Sequence, residues 1–232
     1  MANVLIVAGP TGTGKSTSMR NLDPKETYVI NVLNKPLPFK GSRGMYTEEK
    51  KNIQNTDDYF QVKALIEAIA TKRPEIRNII IDDVGFVMTT EFFKRSHETG
   101  YNKFTDIGKH MQEILESAKN LKKDLNVVFM FHDEDDTSDK VKISKKVKTI
   151  GSLLDDKYDP LAIVSIALFT NVSFDKEGKA NYEFITNRSL VNNIIVPAKS
   201  PDGMFETNRV PNDLRLVFDK VHEYYGEKVL VG

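Results

Sequence analysis

An α/β fold with a mainly parallel central sheet is predicted by three features of this sequence. The apolar run Val4 to Ala8 leads straight into a glycine-rich loop and a helix start. A second apolar run, Asn78 to Ile81, ends in two carboxylates, Asp82 and Asp83. Around them, short β-branched runs alternate with stretches of helical apolar spacing, the pattern of strands joined by crossover helices. At 232 residues, with no repeat or low-complexity linker, one domain over 1–232 is expected.

The first strand and its loop carry the chemistry. Gly9-Pro10-Thr11-Gly12-Thr13-Gly14-Lys15-Ser16 matches G-x-x-x-x-G-K-[ST], and Thr17 continues it. Its glycines let the backbone curl so that N–H groups point inward at phosphate oxygens. Lys15 would reach the β- and γ-phosphates of ATP, and the Ser16 hydroxyl would sit on Mg²⁺. A helix from Ser16 through Leu22 would turn its positive end to the same phosphates.

Thr27 to Leu33 reads as a second strand. Asn34 to Thr47, with Pro36, Pro38, Gly41 and Gly44, is a loop. Its Lys35, Lys40 and Arg43, interleaved with Phe39 and Tyr46, suit a single-stranded nucleic acid or a nucleotide edge; a solvated loop anchored by Phe39 is the plainer alternative. A helix capped by Thr56 or Asp57 runs to about Lys72, with Phe60, Ala64, Leu65, Ala68 and Ile69 as its apolar face. The strand Asn78–Asp83 places its carboxylates at the strand's C-terminal end, where ligands of open α/β sheets bind. Asp82 is the candidate Mg²⁺ ligand. Asp83 is the candidate for polarising the attacking water, with Glu91 and Glu134 as competitors.

Val84 to Glu98 reads as a helix with Phe86, Met88, Phe92 and Phe93 as a core or contact face, and Thr105 to Lys123 as a longer one. Asn126 to His132 is a buried strand with a polar tip. Inserted between the two phosphate-site strands, it would set His132 beside the γ-phosphate as a sensor; otherwise His132 merely opens a loop. Asp133 to Asp139 lacks the sixth-position glycine and twelfth-position glutamate of a calcium loop. Then Lys140, Lys142, Lys145, Lys146 and Lys148 alternate with β-branched residues. They form either a hairpin arm or mobile loop facing a phosphate backbone, or a solvated surface. Ile150 to Asp155 is a short ordered segment. Leu161 to Phe169 is a strand, paired antiparallel with Asn181 to Thr186 across the turn at Lys176 to Lys179. Asn193 to Val196 is the last strand, and Leu214 to Tyr225 an amphipathic helix.

Composition narrows the partners. Lysine plus arginine equals aspartate plus glutamate at 33 each, so any basic surface is local. Absence of cysteine excludes disulfides, zinc–thiolate sites and thiol catalysis, and fits a reducing cytoplasm. The N-terminal run is too short for a signal peptide and lacks a basic flank, and Leu161 to Phe169 is too short to span a bilayer, so no membrane partner is expected.

This order resembles a RecA-like P-loop NTPase core with C-terminal antiparallel strands, and more narrowly the short RecA-like ATPases of bacteriophages, including single-strand annealing recombinases. Beyond Gly9 to Thr17 and Ile81-Asp82-Asp83, the resemblance rests on Asn34-Lys35-Pro36-Leu37-Pro38-Phe39, Phe131-His132-Asp133-Glu134, Thr149-Ile150-Gly151 and Lys199-Ser200-Pro201-Asp202-Gly203-Met204-Phe205. It implies Mg²⁺-dependent ATP hydrolysis at subunit interfaces, single-stranded DNA binding, and a homo-oligomeric ring or filament. It also implies that Lys199, after a late strand, reaches the neighbour's γ-phosphate; an ordinary loop lysine is the alternative. Asn34 stands where RecA has its glutamate base, and no separate assembly arm precedes the first strand. A small-molecule kinase is the first rival, opposed by the lack of an arginine-rich lid; a nucleotide-gated assembly protein with little turnover is the second.

Overall fold

The computed structural model describes residues 1–122, 124–138, 141–150 and 159–226. An eight-stranded sheet forms its centre. Strands are β1 (Asn3–Ala8), β2 (Thr27–Asn31), β3 (Ile53–Asn55), β4 (Asn78–Asp82), β5 (Asn126–Phe131), β8 (Ile166–Phe174), β9 (Ala180–Ile185) and β12 (Arg209–Pro211). Their spatial order is β12-β9-β8-β1-β5-β4-β2-β3. The six from β8 to β3 run parallel, while β9 is antiparallel to β8 and β12 to β9. This is the fold of a P-loop NTPase, and β5 does insert between β1 and β4.

Side chains alternate across each strand, so the sheet has two apolar faces. Ile6, Ile79, Ile81, Phe129 and Phe131 face one core, packed by α2 (Tyr59–Lys72), α3 (Gly85–Lys94) and α4 (Asn102–Ser117). Leu5, Val7, Ile80, Val128 and Met130 face the other. At the N-terminal ends of the strands a buried ladder sets the register: Asn3 donates to Asn126, Asn126 to Asn78, and Asn78 to Thr27, at 3.1, 2.9 and 3.2 Å. Such partners are needed because an unpaired amide at this depth would be costly.

The second face differs from expectation. The helix predicted from Ser16 is a single 3₁₀ turn, Ser16–Met19. Its place is filled by the C-terminal helix α6 (Leu214–Tyr224), whose Leu214, Val217, Phe218 and Val221 pack with Met19 and Leu22. Asp213 caps that helix, accepting from Arg215 N at 2.9 Å.

Other boundaries also moved. The helix cap before α2 is Asp58, not Thr56 or Asp57. Val62, Ile66 and Ile69 are its buried residues, whereas Phe60 is 64% exposed; two apolar stripes overlap on this helix and the sheet selects one. In α3, Val87 and Met88 are buried and Phe93 is exposed. The strand expected from Leu161 begins at Ile166, after a short helix α5 (Pro160–Ile163) whose first turn Pro160 favours. A short helix α1 (Ser42–Met45) lies inside the predicted loop. The strand Ile194–Val196 is followed by β12 and so is not the last.

A second sheet, in the order β10-β11-β7-β6, stands beside the first. It comprises β6 (Asp133–Ser138), β7 (Val141–Val147), β10 (Ser189–Val191) and β11 (Ile194–Val196). β6 and β7 form an antiparallel hairpin, one of the alternatives open for the lysine run.

Candidate nucleotide site

The loop from Gly9 to Ser16 leaves the end of β1 at the C-terminal edge of the sheet. Gly12 and Gly14 adopt φ of 79° and 95°, the left-handed region open to glycine. Lys15 is buried and its Nζ donates to Gly9 O and Pro10 O, at 2.8 and 2.9 Å. Burial lowers its pKa from the usual lysine value, with Asp83 and Asp82 pulling the other way. Thr13 Oγ1 donates to Pro10 O at 2.8 Å and meets Thr170 Oγ1 at 2.6 Å, tying the loop to β8.

Across the loop, Ser16 Oγ donates to Asp82 Oδ1 at 2.8 Å, and Asp82 Oδ2 is buried without a partner. Burial, with Asp83 next to it, raises the Asp82 pKa to about 6. A hydroxyl beside a carboxylate with one uncommitted oxygen fits Mg²⁺, which takes one or two protein oxygens together with substrate phosphates and water. Among the described residues no cluster of three or more His, Asp or Glu could cage a metal by itself. Ser16 and Asp82 are thus brought together as a Mg²⁺-type pair.

Asp83 leaves β4 with φ of 58°, a left-handed turn that aspartate tolerates better than most residues. Its Oδ1 meets His132 Nε2 at 3.1 Å, and its Oδ2 forms an ion pair with Lys35. Burial works to raise the Asp83 pKa, but the His132 and Lys35 contacts prevail and hold it below the usual carboxylate range. Phe86 presents its ring edge to His132 at a centroid distance of 5.5 Å. The insertion of β5 therefore puts His132 beside the second carboxylate.

In the sequence Lys35 is only one of several loop cations. Asn34, at φ of 50°, turns the chain after β2, and Asn31 Nδ2 holds Lys35 O at 2.9 Å. Lys35, Pro36 and Pro38 line the pocket, which supports the nucleotide-edge reading of this part of the loop. Phe39 instead packs on the core and meets Tyr46 edge-on at 6.2 Å. Glu91 is tied to His110 and Arg95 at 2.8 and 3.0 Å, and Glu134 to Lys146 at 3.3 Å. Neither lines the pocket, whereas Asp83 does.

Lys15, Ser16, Lys35, Asp83 and His132 line a cavity of about 690 Å³, bounded also by Thr11, Thr17, Arg20, Tyr182 and Asn212. That is ample for a nucleoside triphosphate. Lys199 does not border it: its backbone bridges Ala167 on β8, with N–O distances of 2.9 and 2.8 Å. The lysine run lies outside it too. Lys142 pairs with Asp135 at 2.6 Å, and Lys145 with Asp135 at 2.7 Å and Asp133 at 3.3 Å. Lys148 is exposed, while Lys140 and part of the segment Ile150 to Asp155 lie outside the described residues.

No helix among the described residues is long and apolar enough to cross a membrane. A search among curated proteins finds no match to this chain. The family model described as an AAA domain matches residues 1–172, which span the phosphate loop, Asp82, Asp83, His132 and Thr170. A phosphate loop facing a Ser–Asp pair, on a sheet with β5 inserted beside β1, is the arrangement of a nucleotide-binding P-loop ATPase, and the chain belongs to the AAA domain family.

Proposed function

We propose that the protein is a Mg²⁺-ATP-dependent, RecA-like ATPase that acts as a homo-oligomer on single-stranded DNA in phage recombination, annealing or replication. The observation that carries this reading is the direct continuation of His132 into the lysine-bearing hairpin. His132 hydrogen-bonds Asp83 at the phosphate end of the pocket, and β6 begins at the next residue. A change in what Asp83 and His132 contact can therefore be transmitted to the arm that offers ammonium groups.

Lys15, at present bonded to two loop carbonyls, would exchange them for β- and γ-phosphate oxygens. Ser16 and Asp82 would hold Mg²⁺, which neutralises charge on the phosphates during transfer. Asp83, kept ionised by Lys35 and His132, would orient the attacking water, and His132 would respond to the γ-phosphate. The engagement of both Asp83 oxygens also favours a second reading, a nucleotide-gated assembly protein with little turnover.

Hydrolysis of ATP with and without single-stranded DNA separates the two. DNA-stimulated turnover that Lys15→Ala abolishes and that requires Mg²⁺ supports the ATPase reading. Nucleotide binding without turnover in either condition would overturn it in favour of the second.

A further inference from the structure

The wall of the cavity opposite Asp83 has an unused group. β9 and β12 lie on the other side of β1 from β4 and β2, so Tyr182 and Asn212 face the pocket across from Asp83 and Lys35. Asn212 is only 2% exposed, yet neither its side-chain Oδ1 nor its Nδ2 has a hydrogen-bond partner. We infer that Asn212 and Tyr182 form a nucleobase subsite, with the Asn212 amide reading the amino-bearing edge of adenine and the Tyr182 ring stacking on the base. This rests on the reading that the pocket holds a nucleoside triphosphate.

The backbone of Asn212 is fully committed, which makes the free amide conspicuous. Its N donates to Tyr182 O at 3.2 Å, and its O accepts from Arg20 Nη1 at 2.7 Å. The next residue, Asp213, accepts from Asn21 Nδ2 at 2.6 Å. Three bonds thus fasten this corner to β9 and to the turn that follows the phosphate loop. The side chain then rests on Gly14, where a Cβ would lie 2.9 Å from Asn212 Oδ1. A rigid amide placed at the loop's edge is prepared for a ligand, because a buried amide left unpaired is costly.

An asparagine side chain offers donors and an acceptor side by side. Adenine presents an amino donor next to a ring-nitrogen acceptor, and asparagine pairs with that edge through two hydrogen bonds. Tyr182 is 45% exposed and supplies an aromatic face of the kind that stacks on bases whatever their identity. Both residues lie beyond the matched residues 1–172, so the family match does not assign them.

Equilibrium binding, by calorimetry on the full chain, tests the subsite without reference to turnover. The wild type is expected to bind ATP about 10- to 100-fold more tightly than purine riboside triphosphate, which lacks the amino group. Asn212→Leu keeps the packing on Gly14 and should weaken ATP, which loses two hydrogen bonds, more than the analogue, which loses only the one to its ring nitrogen, so that the two affinities converge. Tyr182→Leu should weaken both by the same factor. Equal affinities in the wild type would overturn the subsite, and that comparison stands even if Asn212→Leu fails to fold. An equal loss of both ligands in Asn212→Leu would also overturn it, making Asn212 a support for the phosphate loop. A folded wild type that binds neither triphosphate would overturn the pocket reading, and the subsite with it.

Discussion

Gly9 and Gly14 are glycines for different reasons. Gly14 has φ of 95°, and Asn212 crowds it as well, so both backbone and neighbour forbid a side chain. Gly9 is required by proximity alone: a Cβ there would sit 1.8 Å from Thr170 Oγ1. Gly9→Ala is therefore expected to cost about 1–3 kcal/mol, the usual range for overpacking. Thr170→Ala removes the clashing oxygen, so the same glycine substitution should cost less in that background. Urea midpoints of the two single variants and the double variant check this, and strict additivity would show that Thr170 is not the cause. The motif reveals that Gly9 matters; only β8, arriving from far along the chain, reveals why. Lys35 is the converse case. Nothing local distinguishes it from Lys40 or Arg43, and its part in the site comes from Asn34 turning the chain towards Asp83.

At the level of elements, the β6–β7 hairpin combines two runs of opposite charge. In the antiparallel register Glu134 lies opposite Lys146 and Asp135 opposite Lys145. An acidic run followed at once by a basic one is the sequence signal for this pairing. The ion pairs offset much of the arm's charge, while Lys142 is well exposed and can still turn to a polyanion. If the arm meets DNA, replacing Lys142, Lys145 and Lys146 with glutamine should flatten the salt dependence of single-stranded DNA binding. The slope of log K against log salt should fall by about 0.7 per lost phosphate contact. Anisotropy titrations of a labelled oligonucleotide at several salt concentrations measure it, and an unchanged slope would leave these lysines as hairpin partners only. The phosphate-loop helix is likewise a tertiary matter: local spacing allows seven residues, but one turn forms and the C-terminal helix α6 packs on Met19 and Leu22.

On the scale of the whole molecule, the expectation of action between subunits rests on Lys199. Lys199 is outside the pocket of its own chain, and its backbone bridges Ala167. If Lys199 serves a neighbouring subunit's site, Lys199→Ala should bind ATP normally and lose turnover. Arginine fingers contribute about 10³- to 10⁵-fold in rate, and a lysine, lacking their fork, less. Mixing Lys199→Ala with Lys15→Ala subunits should restore part of the activity, since each supplies what the other lacks. Full DNA-stimulated turnover by Lys199→Ala alone would remove it from the reaction.

Residue order by itself determined the long apolar strands, the phosphate loop and the carboxylates at the end of β4, because each depends on neighbours in the chain: an apolar period, a glycine spacing, a carboxylate at a strand end. The hairpin around the Lys176–Lys179 turn was legible for the same reason. Tertiary structure alone decided the Asn3–Asn126–Asn78–Thr27 ladder, the Lys35–Asp83–His132 contacts and the place of Asn212 on Gly14. Parallel strands adjacent in space are distant in sequence, so side chains at their ends meet only after the sheet has formed. A polar residue among apolar ones carries no label naming its partner. The strand order supplies that partner, and with it the chemistry.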